Sequence, residues 1–223
     1  MSREYYKDDR YFEDYIICQN KRIDKFTDAL NKLRDGDESK VTQCQRYLAN
    51  FYRDLLSAKY SIGASKHEVQ RYYLKYLEIV AQCGVSDYAE MIDILSLAIL
   101  FDVTIDHDIK VILENTVYDV DSMICILKKI LQKHYSIVES NYLLFPQNYE
   151  VFYKFIKGTI DTKEFLKFIE EEWYDSCKDF AWYDSHKNKE NSYVGYWSWL
   201  AGAALKINSV VVEDIKYIPF ELL

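Results

Sequence analysis

The stretch DRYFEDYIICQNKRIDKFTDALNKLR, Asp9 to Arg34, decides the fold class. Its apolar residues Phe12, Ile16, Ile23, Phe26, Leu30 and Leu33 recur at helical spacing and fall on one face. Acids and bases fill most of the remaining positions, so the segment reads as an amphipathic α-helix with one side turned to a core. Gly36 follows as a stop signal.

The same reading extends along the chain. A second helix fits Ser39 to Tyr60, with Val41, Leu48, Phe51, Leu55 and Leu56 inward and Gly63 at its end. Ser65 and Glu68 form a capping box for a third, which runs through Val69, Tyr73, Tyr76, Leu77 and Val80 to Gly84. A fourth starts near Ser86 and covers Met91 to Phe101. Shorter helices fit Asp106 to Glu114 and Asp119 to His134, and the Pro146-containing segment Tyr142 to Gln147 reads as a turn. Helices resume over Asn148 to Lys157 and Thr162 to Phe180. Asp184 to Ser192 reads as a polar loop, and Tyr193 to Ile207 as the last clear helix before an extended tail. Tight turns consume Gly and Pro, and the chain has only 6 Gly and 2 Pro in 223 residues. The expectation is an all-α compact bundle of about nine helices with no significant sheet. A weak seam at Asn115 to Asp119 divides it into expected halves 1–117 and 118–223, packed as one compact unit.

The net charge of −8 disfavours nucleic acid and anionic membrane as partners, because both need basic protein surface. No apolar run reaches the ~18 residues of a membrane span, and Met1 to Tyr6 lacks the apolar region of a signal peptide. Five cysteines, Cys18, Cys44, Cys83, Cys125 and Cys177, are widely spaced and form no C-x-x-C pair. They read as reduced, mostly buried thiols in a cytoplasmic protein. The 21 tyrosines read mainly as helix-packing residues, with some exposed at an interface.

The acidity is concentrated. Between Gly84 and Asp121, the nine carboxylates Asp87, Glu90, Asp93, Asp102, Asp106, Asp108, Glu114, Asp119 and Asp121 meet one base, Lys110. Between Glu164 and Asp184, seven acids meet Lys167 and Lys178. Some of these carboxylates are explained by helix N-termini, among them Asp87, Asp106, Asp119 and Asp121. The rest suit a basic partner, and the expected contact residues on exposed helix faces are Glu90, Asp93, Glu170, Glu171 and Asp175.

Catalytic signatures are missing: there is no H-E-x-x-H, P-loop, G-x-G-x-x-G or G-x-S-x-G. Asp106-His107-Asp108 reads as the polar start of a helix rather than a metal site. Asp184 and His186, in one polar loop beside aromatics, are the nearest approach to an acid–base pair. The expectation is a protein that is not an enzyme and holds no metal or cofactor.

The two ends of the chain carry more specific information. Near the C-terminus stand Trp182-Tyr183, His186-Lys187, Tyr193-Val194-Gly195-Tyr196-Trp197, the Ala-rich run to Ala204, and Tyr217-Ile218-Pro219-Phe220. Near the N-terminus stands Asp9-Arg10-Tyr11-Phe12-Glu13-Asp14-Tyr15-Ile16. This order resembles the paired N- and C-terminal domains of the PoNi family. The chain carries Leu200 where that family often has Glu. The resemblance implies an all-helical immunity protein that binds and blocks a cognate DNA-degrading toxin of the PD-(D/E)xK type, delivered between bacteria by a secretion system. A competing reading from another class is a helical scaffold or adaptor that binds a peptide or protein in an aromatic groove. A third is a hydrolase built on Asp184 and His186. Trp197 reads as a core residue on one face with Leu200, Ala201, Ala204 and Leu205, while Gly195 permits a close backbone approach.

Overall fold

A computed structural model of the chain describes residues 2–33, 37–104, 107–131 and 142–223. Among these, ten α-helices and two short 3₁₀ turns are present and no strand occurs. Gly36, Asp106 and His134 lie outside the described residues. The chain divides into two units. The first is Met1–Val85 with Asp184–Gly195, and the second is Ser86–Tyr183 with Tyr196–Leu223. The chain passes between the units three times, after Val85, Tyr183 and Gly195.

The first unit contains α1 (Asp9–Leu33), α2 (Glu38–Ser61) and α3 (Lys66–Cys83), with α2 packed on both neighbours. The apolar spacing of α1 resolves as expected at Phe12 and Ile23, which are buried, and at Ile16, Phe26 and Leu30, which pack beside Leu48 and Leu55 of α2; Tyr15 and Gln19 are buried as well. Asp37 caps α2 by accepting from the Ser39 amide at 3.0 Å. Ser65 caps α3 by accepting from the Glu68 amide at 3.3 Å, while the Glu68 carboxylate turns to Lys59 at 2.8 Å.

The second unit is built around α4 (Tyr88–Leu100), whose residues from Ile94 to Leu100 are all buried. A helix apolar on every side must be covered on every side. Here α6 (Ser122–Leu131) and α10 (Trp199–Ile207) pack on α4. The unit also contains α5 (His107–Glu114), α7 (Pro146–Ile156), α8 (Thr162–Glu171) and the single turn α9 (Trp173–Ser176). The sequence reads Thr162 to Phe180 as one helix, but Glu172 departs from helical geometry at φ −124° and splits it into α8 and α9. A Cβ added at Gly202 on α10 would lie 2.7 Å from Pro219 Cγ and 3.2 Å from Leu100 Cδ2. The absent side chain therefore lets the C-terminal tail and α4 both close on α10, and Ser198 N–H donates to Tyr217 O at 2.8 Å.

All five cysteines are free, with Cys44, Cys125 and Cys177 buried and Cys18 exposed. Burial pushes the Cys177 thiol up to about 11, so it stays protonated at neutral pH. None of the described helices is long and apolar enough to cross a membrane.

Candidate functional site

The residues singled out by the C-terminal motif divide between the two units. His186, Tyr193 and Gly195 belong to the first, in a segment that returns to α1 and α2. Tyr193 is 1% exposed. Its N–H donates to the Tyr11 hydroxyl and its carbonyl accepts from that hydroxyl, both at 3.0 Å. The Tyr193 hydroxyl donates to Glu4. One residue on, the Val194 carbonyl accepts from Ser61 Oγ at 2.7 Å. Gly195 then takes φ +106°, a conformation that only glycine adopts without strain. These bonds divert the backbone from a helix, and Ser198 caps α10 by accepting from the Ala201 amide at 3.2 Å. The last helix therefore begins at Trp199 rather than at Tyr193. Trp197 precedes it and is half-buried, so it does not join the buried face of Leu200, Ala201, Ala204 and Leu205 to which the sequence assigned it. Trp199 is buried, as is Tyr196.

His186 packs against Tyr6 with ring centroids 4.2 Å apart and ring planes tilted by 34°. Asp184 sits at φ +58° and accepts from Lys187 Nζ at 2.7 Å. The described contacts give His186 an aromatic packing partner in Tyr6 and give Asp184 an ion pair with Lys187. Burial holds the His186 imidazole below its ordinary value, helped by Lys187 and Lys7 and opposed by Asp184 and Glu4. The folded state thus favours the neutral ring, so this contribution to stability is full above about pH 6.5 and is lost as pH falls through the lowered folded value. The thermal midpoint should drop as pH falls below about 6.5, and His186→Phe should reduce that drop. An unaltered pH profile in the variant would remove His186 from this role.

In the second unit, Trp182, Tyr196 and Pro219 belong to an aromatic assembly around α9. Trp173 lies 5.9 Å from Trp182 and 5.0 Å from Tyr217, and Tyr174 lies 5.0 Å from Tyr196 and 4.6 Å from Tyr183. Pro219 follows Tyr217 into contact with α10. Much of the tyrosine and tryptophan signal near the C-terminus is therefore packing.

The acidic windows resolve unevenly. Glu90, expected on an exposed face, is 1% exposed. It lies in the first turn of α4, where its carboxylate accepts from the Ser86 amide at 2.5 Å and its own amide donates to the Asp87 cap at 2.8 Å. The capping arrangement consumes it, and it is no surface contact. Asp93 is half-buried. Asp102 and Asp119 pair with Lys206 and Lys128, each at 2.6 Å. Asp121 is 1% exposed and accepts four hydrogen bonds. By contrast Glu170, Glu171 and Asp175 are exposed. Glu171 pairs loosely with Lys167 at 3.8 Å, and Asp175 accepts from the Tyr183 hydroxyl at 3.2 Å. Among the described residues no group of three His, Cys, Asp or Glu side chains converges as a metal site.

The sequence anticipated some exposed Tyr but no exposed Val, Leu or Phe. Val117, Val120, Tyr142, Leu144 and Phe145 all lie at the surface of the second unit. They sit in short loop segments, where no periodicity marks a side chain as inward or outward.

Residues 1–113 match the family model described as "PoNe immunity protein (PoNi), N-terminal", and residues 121–222 match "PoNe immunity proteins (PoNi), C-terminal". No curated protein and no solved structure matches the chain.

Proposed function

The chain belongs to the PoNe immunity protein (PoNi) family, and from that premise we propose that it binds and inhibits a cognate antibacterial DNase of the PD-(D/E)xK type during interbacterial competition, acting in the cytoplasm of the cell that makes it. The matches to both family domains carry this reading. Membership implies immunity to a PoNe toxin. Inhibition by binding, without catalysis, is the proposed mode.

The charge distribution supports it. A nuclease must offer basic surface to phosphates, and carboxylates on an inhibitor would complement that surface and steer encounter. Glu170, Glu171 and Asp175 are the exposed acids assigned to this role, with half-buried Asp93 contributing less and buried Glu90 nothing.

Co-expression with the cognate PoNe nuclease should rescue growth, and the purified protein should block DNA cleavage stoichiometrically. Persistent toxicity in the presence of soluble, folded protein would defeat the reading. Association should slow as salt rises, because screening acts over about 8–10 Å near physiological ionic strength. Reversal of Glu170, Glu171 and Asp175 to Lys should lower the association rate by about tenfold. A rate indifferent to both changes would reject the acidic contact while leaving immunity in place.

A further inference from the structure

The segments 117–121 and 142–145 are joined by Asp121 in the second unit. Its Oδ1 accepts from the Tyr88 hydroxyl at 2.8 Å and from the Met123 and Ile124 amides at 2.9 and 3.0 Å. Its Oδ2 accepts from the Leu144 amide at 2.7 Å, and the neighbouring Ser122 amide donates to Tyr142 O at 2.8 Å. The Tyr88 ring braces both segments, 5.3 Å from Tyr118 and 5.0 Å from Phe145. This buried construction displays apolar side chains to solvent: Val117 is 82% exposed, Val120 69%, Tyr142 55%, and Leu144 and Phe145 37% each. A clustered apolar surface is unfavourable in water unless something covers it.

The setting indicates what covers it. Asp87, adjacent to Tyr88, and Asp119, between the two valines, are exposed carboxylates, the first also capping α4 and the second also paired with Lys128. On the other side Asn148 at the start of α7 donates to Ser176 O at 3.1 Å, which brings the patch towards Asp175. An apolar centre with an acidic rim repels a second copy of itself and an anionic lipid surface, and suits a basic protein. We propose that this Asp121-braced surface is where the toxin docks, with apolar toxin side chains against Val117, Val120 and Tyr142 and toxin lysines or arginines against the rim. The proposal rests on the immunity reading above. The hydrogen bonds to Asp121 hold both segments before binding, so little ordering accompanies docking.

The test is Val117→Glu with Val120→Glu, titrated against a catalytically inactivated form of the cognate PoNe nuclease. Both side chains are solvent-facing, so helix content and thermal midpoint should match wild type. The added charge has the sign that attracts a basic partner, so weaker binding would report lost apolar contact. Affinity should fall by about 100-fold or more, the scale of two central contacts. Val211→Glu, at a position 83% exposed, should bind as wild type does. If the double variant binds as wild type, or if Val211→Glu loses as much, the surface is misassigned while wild-type binding keeps the immunity reading. If wild type neither binds nor protects, both readings fall. If wild type self-associates and the double variant becomes monomeric with toxin binding unchanged, the occupant is a second copy and the proposal is overturned.

Discussion

Tyr193→Ala is expected to destabilise the first unit by about 3–5 kcal/mol, the usual range for deleting a large aromatic side chain from a core. The ring is 1% exposed and lies 6.1 Å from Tyr6, 6.4 Å from Tyr11 and 6.2 Å from Phe12. Those partners come from the N-terminal segment and α1, so one side chain fastens residues far apart in sequence. Its removal opens a cavity and leaves Glu4 without its tyrosine donor. Tyr193→Phe separates the two effects: it keeps the ring and should cost about 1 kcal/mol for the hydroxyl. Urea unfolding followed by circular dichroism measures both. All four Trp lie in the second unit, so their fluorescence reports that unit separately. A denaturation midpoint unchanged from wild type in Tyr193→Ala would show that the return segment does not anchor the first unit.

What the sequence revealed depended on whether the deciding interactions were local. The register of α1 was legible because its apolar face repeats over 25 residues and nothing distant competes with it. The Ser65 cap of α3 was legible for the same reason, since donor and acceptor are three residues apart. The start of α10 was not. Alanine-rich sequence after Tyr193 favours a helix, yet the backbone there bonds to Tyr11 and Ser61, which no local pattern announces. That misplaced start also moved Trp197 off the helix and out of the core. Glu90 failed in the opposite way: a carboxylate in the first turn of a helix can face water or fold back on the cap, and spacing does not distinguish them. The candidate surface was the least legible part. Its apolar residues lie in short irregular segments, and the carboxylate that assembles them was legible in the sequence only as an acid at the start of a helix, a role it fills at α6.

That carboxylate sets the other large expected effect. Asp121→Ala should cost about 3–5 kcal/mol, because buried donors left unsatisfied cost about 1–3 kcal/mol each and only some will find water. Four donors are involved: the Tyr88 hydroxyl and the amides of Met123, Ile124 and Leu144. Two of them begin α6, so its first turn loses its cap as well. Asp121→Asn is the informative companion. Its Oδ1 can still accept from Tyr88 and the start of α6, but an amide nitrogen opposite the Leu144 N–H sets donor against donor. The asparagine variant should therefore keep much of the α6 cap while releasing the 142–145 segment. If that segment contributes to docking, Asp121→Asn should weaken toxin binding by more than its loss of stability alone would suggest, measured at a temperature where the variant is fully folded. An Asp121→Ala protein with the urea midpoint of wild type would mean that water replaces the carboxylate at all four donors, and the brace would not be needed to hold the surface.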